Sequence, residues 1–245
     1  MPNKTPYHIL LTNDDGIQSP ALEALESTLS RLGRLTVVAP DRERSATSHC
    51  ITLDQPVIYH KVGPNRFSVQ GTPADCVIEA MFRILKERPS LVISGVNQGL
   101  NVGEDILYSG TVAAASEAAV HGLPAIAVSA SSRRDADYAS AARVVARLAE
   151  RVLQQGLPPD VILNVNFPSS WNGEFRLTRQ GRRSRAAAGS LDSLLTTSLE
   201  MSDIEALASG YVSISPLHID RTFRVSESSW LCDFVLAERT SAKGD

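Results

Sequence analysis

Short apolar runs alternate with helix-periodic segments through the first two thirds of this chain, and that alternation most narrows its fold. The runs His8–Thr12, Leu35–Ala39, Leu91–Ser94, Ala125–Ser129 and Val161–Asn166 have strand length and no helical spacing. Between them, Pro20–Leu32, Pro73–Lys86, Val112–His121 and Asp137–Gln155 read as helices, with Leu22, Leu25, Leu29 and Leu32 on one face. Ser19-Pro20 and Thr72-Pro73 supply N-caps with proline in the first turn, and Gly33 ends the first helix. Strands joined by helices predict an α/β fold around a mostly parallel sheet.

Two further β-like runs, Ile51–Lys61 and Arg66–Gln70, are joined by Gly63-Pro64-Asn65 as a hairpin. Beyond Pro168 the character changes. Arg176, Arg179, Arg182, Arg183 and Arg185 crowd ten residues, Ala186–Ser202 is weakly patterned, and Tyr211–Ser215 is β-like. The pattern predicts one compact α/β core over 1–168 and a C-terminal extension over 169–245, better suited to partner contacts than to a second core.

Composition excludes several classes. At 43% hydrophobic and 21% charged, the 245 residues form a folded globular protein, not a disordered chain. A net charge of −3 argues against general affinity for nucleic-acid polymers or anionic membranes. The chain opens without an apolar signal core and has no run long enough to cross a bilayer. Cys50, Cys76 and Cys232 are odd in number and widely spaced, so they read as reduced, packed thiols of a cytoplasmic protein.

The chemistry concentrates at the strand ends. Asn13-Asp14-Asp15-Gly16 follows the first strand and precedes a helix, the edge where open α/β sheets bind ligands. Adjacent carboxylates repel unless a counter-charge relieves them. A divalent cation does so; a solvated turn capped through Asp15-Gly16 is the plain alternative. The loops Asp41–Ser48, Gly95–Asp105 and Ser109–Thr111 meet the same edge. Asp14, Asp15, Ser45 and Asn97 then form an oxygen-only ligand set, which favours one Mg²⁺ or Mn²⁺ over zinc. Ser109-Gly110-Thr111 opens a helix, whose free N–H groups and dipole suit an anion, or else form an ordinary cap. A metal beside an anion site is what phosphoryl transfer requires. His49, His60, His121 and His218 have no partner at diagnostic spacing; His49 is set apart only by its nearness to Ser45.

Six segments in order (Ile9–Gly16, Val38–Ser45, Gly71–Cys76, Ser94–Asn97, Tyr108–Val112 and Gly210–Leu217) resemble the SurE family of survival proteins, metal-dependent nucleotidases also described as acid phosphatases. The resemblance implies a Rossmann-like three-layer core with a C-terminal arm exchanged in a homodimer, sometimes doubled to a homotetramer. It implies hydrolysis of nucleoside 5'-monophosphates, with the 3'-position left open. Carried over by position, the metal ligands fall on Asp14, Asp15, Ser45 and Asn97, and the phosphate contacts on Asn101, Ser109, Gly110 and Thr111. Asp14, Asp15 and Asn97 are the catalytic set. The chain departs from the family pattern after Arg183, where Ala186–Leu199 is short and rich in alanine and serine.

Rival readings stay open at this point. An aspartyl-phosphate enzyme would want Asp-x-Asp with a lysine, and a response-regulator receiver would be far shorter. A non-catalytic nucleotide-binding protein would use the arginine cluster as its working surface.

Overall fold

The computed structural model describes residues 7–131, 135–182 and 201–222. Nine strands form one sheet: β1 (Tyr7–Thr12), β2 (Gly33–Pro40), β3 (Tyr59–Gly63), β4 (Arg66–Val69), β5 (Leu91–Gln98), β6 (Ala125–Ala130), β7 (Val161–Phe167), β8 (Phe175–Leu177) and β9 (Val212–His218). Their spatial order is β3-β4-β2-β1-β5-β6-β7-β9-β8. The six from β4 to β7 run parallel, whereas β3 joins β4 antiparallel and β9 joins β7 antiparallel. The chain builds outward from β1 through β2, then returns to place β5 on the other flank of β1. That reversal opens a crevice at the carboxyl ends of β1 and β5, where such sheets bind ligands.

Side-chain alternation gives the sheet two cores. Ile9 and Leu11 of β1, with Ile126 and Val128 of β6, face α1 (Pro20–Leu29) and α4 (Asp135–Gln155). Leu10, Ala125 and Ala127 face the opposite layer, α2 (Pro73–Glu79) and α3 (Gly110–Val120). Parallel strands covered on both faces are continuously apolar, which is why these runs were legible. In α3, Ala113, Ala114, Ala115, Ala118 and Ala119 are buried, and their small side chains let the helix lie close to the sheet.

Several local expectations shift. Helix α1 stops at Leu29, a tighter turn spans Ser30–Leu32, and Gly33 begins β2, where a Cβ would lie 2.1 Å from the Tyr7 carbonyl oxygen. Ser19 occupies the N-cap of α1 without a side-chain cap bond, whereas Thr72 and Asp75 form a full capping box on α2. The β-like run from Ile51 becomes strand only at Tyr59. Cys76 is buried as expected, but Cys50 is exposed, because its segment lies over the surface instead of in a layer.

The sheet also continues across residue 168. Strand β9 lies along β7 over its whole length, with β8 outside it and α5 (Asp203–Ala208) between them in sequence. Arg176 lies within β8, stacked 3.9 Å above the Tyr211 ring. Trp171 packs edge-on against Phe167 and Phe175. The alanine- and serine-rich stretch 186–199 and Cys232 lie outside the described residues.

Candidate functional site

The turn after β1 is built by its own asparagine. Asn13, fully buried, donates from Nδ2 to the Gly16 carbonyl (3.0 Å), and the Gly16 N–H donates back to Asn13 Oδ1 (3.1 Å). Gly16 has φ +98°, and a Cβ there would come within 3.1 Å of the Arg42 backbone. Only glycine fits without strain.

This turn aims Asp14 at the start of α3. The Thr111 hydroxyl donates to Asp14 Oδ1 at 2.7 Å, and the Thr111 backbone N–H also bonds the carboxylate. Asp14 is 3% exposed, and burial pushes its carboxyl above the usual aspartate range, with the Thr111 bonds acting the other way. The helix end thus already faces an anion, supplied by the protein itself. Gly110 makes room for it: a Cβ would stand 3.0 Å from Asp14 Cβ and 3.2 Å from Oδ2.

The second loop is tied to the same point. The Arg44 N–H donates to the Asp14 carbonyl (2.7 Å), so Ser45 follows directly after a residue bonded to the turn. Ser45 is exposed and donates to Glu43 Oε1 (2.9 Å). Asn97 is half-buried near the end of β5, beyond Ser94, which pairs with Thr12; its Nδ2 donates to the Gly99 carbonyl (2.9 Å). The donors at this edge are carboxylate, hydroxyl and amide oxygens. Among the described residues no group of three or more His, Cys, Asp or Glu is arranged to hold a metal. A hard cation suits the oxygen set.

The four expected phosphate contacts divide. Gly110 and Thr111 gather at Asp14, but the Thr111 hydroxyl is engaged there. Ser109 is the N-cap of α3, its Oγ accepting from the Val112 N–H (3.1 Å), which leaves its own O–H to donate. Asn101 is 7% exposed and knitted into the sheet: its Nδ2 donates to Ser129 Oγ (2.8 Å), and its N–H donates to Asn166 Oδ1 (2.8 Å). Its carbonyl accepts from Asn164 and Asn166 (2.8 and 3.1 Å). Asn101 therefore fixes the loop's course from beneath.

Three features escaped sequence reasoning. His49 Nε2 meets Glu117 Oε2 at 2.8 Å, and His121 Nε2 meets the other Glu117 oxygen at 3.0 Å. The His49 bond chiefly, helped by His121, holds the Glu117 carboxyl below the usual glutamate range despite its burial. Asp203, fully buried, accepts from the N–H groups of Gly103, Gly181 and Ile204 at 3.0, 2.8 and 2.8 Å. Gln180 donates to the Gly103 carbonyl (2.7 Å), so the end of the Gly95–Gly103 loop is gripped on both sides. The only sequence signal for any of these was the nearness of His49 to Ser45.

The comparisons agree with this architecture. A profile of the family "Survival protein SurE" matches residues 9–187. A protein named 5'-nucleotidase SurE from Pelobacter propionicus is 44% identical over 236 residues, covering 88% of this chain and 94% of that protein. One of the same name from Citrifermentans bemidjiense is 47% identical over 236 residues, covering 89% and 95%. The crystal structure of the Sure protein from Aquifex aeolicus matches with a TM-score of 0.77 at 36% identity, over 97% of this chain and 100% of that one. With the profile spanning β1 to beyond β8 and the relatives matching nearly end to end, this chain belongs to the SurE family.

Proposed function

We propose that this protein is a divalent-metal-dependent 5'-nucleotidase, hydrolysing nucleoside 5'-monophosphates to nucleoside and phosphate. The observation that carries the reading is the buried Asp14 carboxylate held against the first turn of α3 at the sheet's switch point. The relatives' printed name, 5'-nucleotidase SurE, supplies the substrate class.

Asp14, Asp15, Ser45 and Asn97 are the residues that would hold Mg²⁺ or Mn²⁺. Such an ion, when bound, withdraws charge from a phosphoryl oxygen and lowers the pKa of adjacent water. The chain's own groups do the rest. Asp14, locked by Thr111, orients the attacking water for in-line displacement. Gly110 lets Asp14 lie against the start of the helix, and the Ser109 hydroxyl donates to the phosphoryl oxygens as charge shifts. Thr111 acts through Asp14, and Asn101 acts by holding the loop.

The reading includes a homodimer, with a tetramer as a pair of dimers, and a cytoplasmic location. Among the described residues no helix is long and apolar enough to cross a membrane. Light scattering in solution separates monomer, dimer and tetramer.

The test is phosphate release from a panel of nucleoside 5'-monophosphates and p-nitrophenyl phosphate, with Mn²⁺, with Mg²⁺ and with EDTA. Metal-dependent release favouring nucleotides is the expected result. Asp14→Asn should lower turnover by roughly 10³-fold or more with the fold retained. Near-wild-type turnover in that variant ends the mechanism, and binding of nucleotide without release under any metal leaves a non-catalytic binding protein.

A further inference from the structure

Ser45 is held differently from its neighbours at this edge. Asp14 is locked by Thr111, and the Asn97 amide is tied to the Gly99 carbonyl. Ser45 is exposed, so no packing selects among the three staggered positions of its hydroxyl. Its backbone, by contrast, is set. The Arg44 N–H before it donates to the Asp14 carbonyl at 2.7 Å, and the Thr47 hydroxyl after it donates to the Arg44 carbonyl at 3.0 Å. What is left to fix is one rotation about the Cα–Cβ bond of Ser45.

Glu43 fixes it. The Ser45 hydroxyl donates to Glu43 Oε1 at 2.9 Å. Glu43 is itself placed by the turn after β1, because both of its chain neighbours rest on that turn. The Arg42 backbone lies against Gly16, where an added Cβ would come within 3.1 Å, and Arg44 is bonded to Asp14. Glu43 also stands close enough to Asp14 that its charge, after burial, helps to raise that carboxyl. A hydroxyl can serve a cation only through its oxygen, with the proton directed elsewhere. With its proton given to Glu43, the Ser45 oxygen has only lone pairs to offer. A carboxylate behind a ligand is a common way to orient it, and its loss weakens metal binding by about 10–100-fold.

We infer that Glu43 is a positioning residue for the cation, turning the Ser45 hydroxyl so that its oxygen and not its proton faces the ion. The inference rests on the metal-dependent reading and adds to it a residue outside the proposed ligand set. Glu43 acts through Ser45, not on the ion or on the phosphoryl group.

The experiment measures Mn²⁺ binding from the electron paramagnetic resonance signal of the free ion, which needs no turnover. It compares the wild type with Glu43→Ala, Glu43→Gln, Ser45→Ala and the Glu43→Ala/Ser45→Ala pair. Both side chains are exposed, so all four variants should fold, as circular dichroism checks. Glu43→Ala should raise the Mn²⁺ Kd about tenfold or more, and the Mn²⁺ needed for half-maximal phosphate release should rise with it. Glu43→Gln keeps a carbonyl oxygen for the Ser45 hydroxyl and should raise the Kd by only about threefold. In the Ser45→Ala background, removing Glu43 should change the Kd less than about twofold, because the group it acts through is gone. An unchanged Kd in Glu43→Ala overturns the inference and leaves the metal-dependent reading standing. So does a tenfold loss that persists without Ser45, since Glu43 would then meet the ion itself. Where Ser45→Ala binds too weakly to titrate, equal losses in Glu43→Ala and Glu43→Gln overturn it, because charge alone would be acting. A wild type that takes up no Mn²⁺ overturns both readings, and is recognised before any variant is made.

Discussion

At the scale of single residues, the site depends on two neighbours of Asp14 that carry no charge. Thr111 presents both its hydroxyl and its backbone N–H to the carboxylate. Thr111→Val keeps the shape and the N–H but removes the hydroxyl donor, a charge-assisted bond whose loss costs about 1–3 kcal/mol. The expected outcome is a fall in kcat/KM of at least about tenfold with a melting temperature changed by only a few degrees, read by kinetics and calorimetry. Gly110 tests the same point from the steric side. Its added Cβ would meet Asp14 Cβ and Pro73 Cγ, each at 3.0 Å, tighter than ordinary contact. Pro73 is fixed in the first turn of α2, so Asp14 is the group that must give. Gly110→Ala should therefore lower turnover more than stability, and unchanged turnover would show that Asp14 tolerates displacement.

Among elements, the link between the 41–52 loop and α3 is the informative one. The loop is tied to Asp14 through Arg44, to Tyr108 through Ser48, to α2 through Thr52 and Asp75, and to α3 through His49 and Glu117. Glu117 has its folded pKa depressed by His49 first and His121 second. A carboxyl with a depressed folded pKa adds stability that is present above its unfolded value and lost as pH falls through the folded one. Glu117→Gln should thus melt earlier than wild type near neutrality, by an effect on the order of 1 kcal/mol. The two melting curves should converge as the pH drops below the ordinary glutamate value. A gap that persists unchanged into acid would mean that packing, and not the charge, is what Glu117 supplies.

For the whole molecule, the question is how the residues beyond 168 join the rest. β9 extends the central sheet, and Asp203 binds the C-terminal segment to the loop that leaves β5. Gly181 is confined by this contact, since a Cβ would stand 2.6 Å from Asp203 Oδ1. In Asp203→Asn the amide N–H₂ must face at least one of three backbone N–H donors, whichever way it is turned. The unmet donor costs about 1–3 kcal/mol, or several degrees of melting temperature in a chain of this size. Activity should fall as well, because Gly103 ends the Gly95–Gly103 loop; a variant that melts early with full activity would separate the two roles. Sequence reasoning placed Tyr211–Ser215 as β-like but missed α5, β8 and the continuity of the sheet. The reason lies in the seam they form. Asn164, Asn166, Thr178, Ser213 and Ser215 are all fully buried, with Thr178 bonded to Ser213 and Ser215 (2.8 and 2.7 Å). A polar interior leaves no apolar alternation to read.

What the sequence determined by itself follows from local rules. Strands buried on both faces must be continuously apolar, helices must repeat at their own period, and the chain must turn where Asn13–Gly16 and Thr72-Pro73 allow it. Those rules placed Asp14 and Asp15 at a ligand-binding edge, and the six ordered segments named the family. The tertiary structure decided the pairings: Thr111 with Asp14, His49 with Glu117, and Asp203 with Gly103 lie 97, 68 and 100 residues apart. A hydrogen-bonding side chain carries no record of its partner, since any donor satisfies any acceptor. Only the packing of α3 and the C-terminal segment against one sheet settles which groups meet.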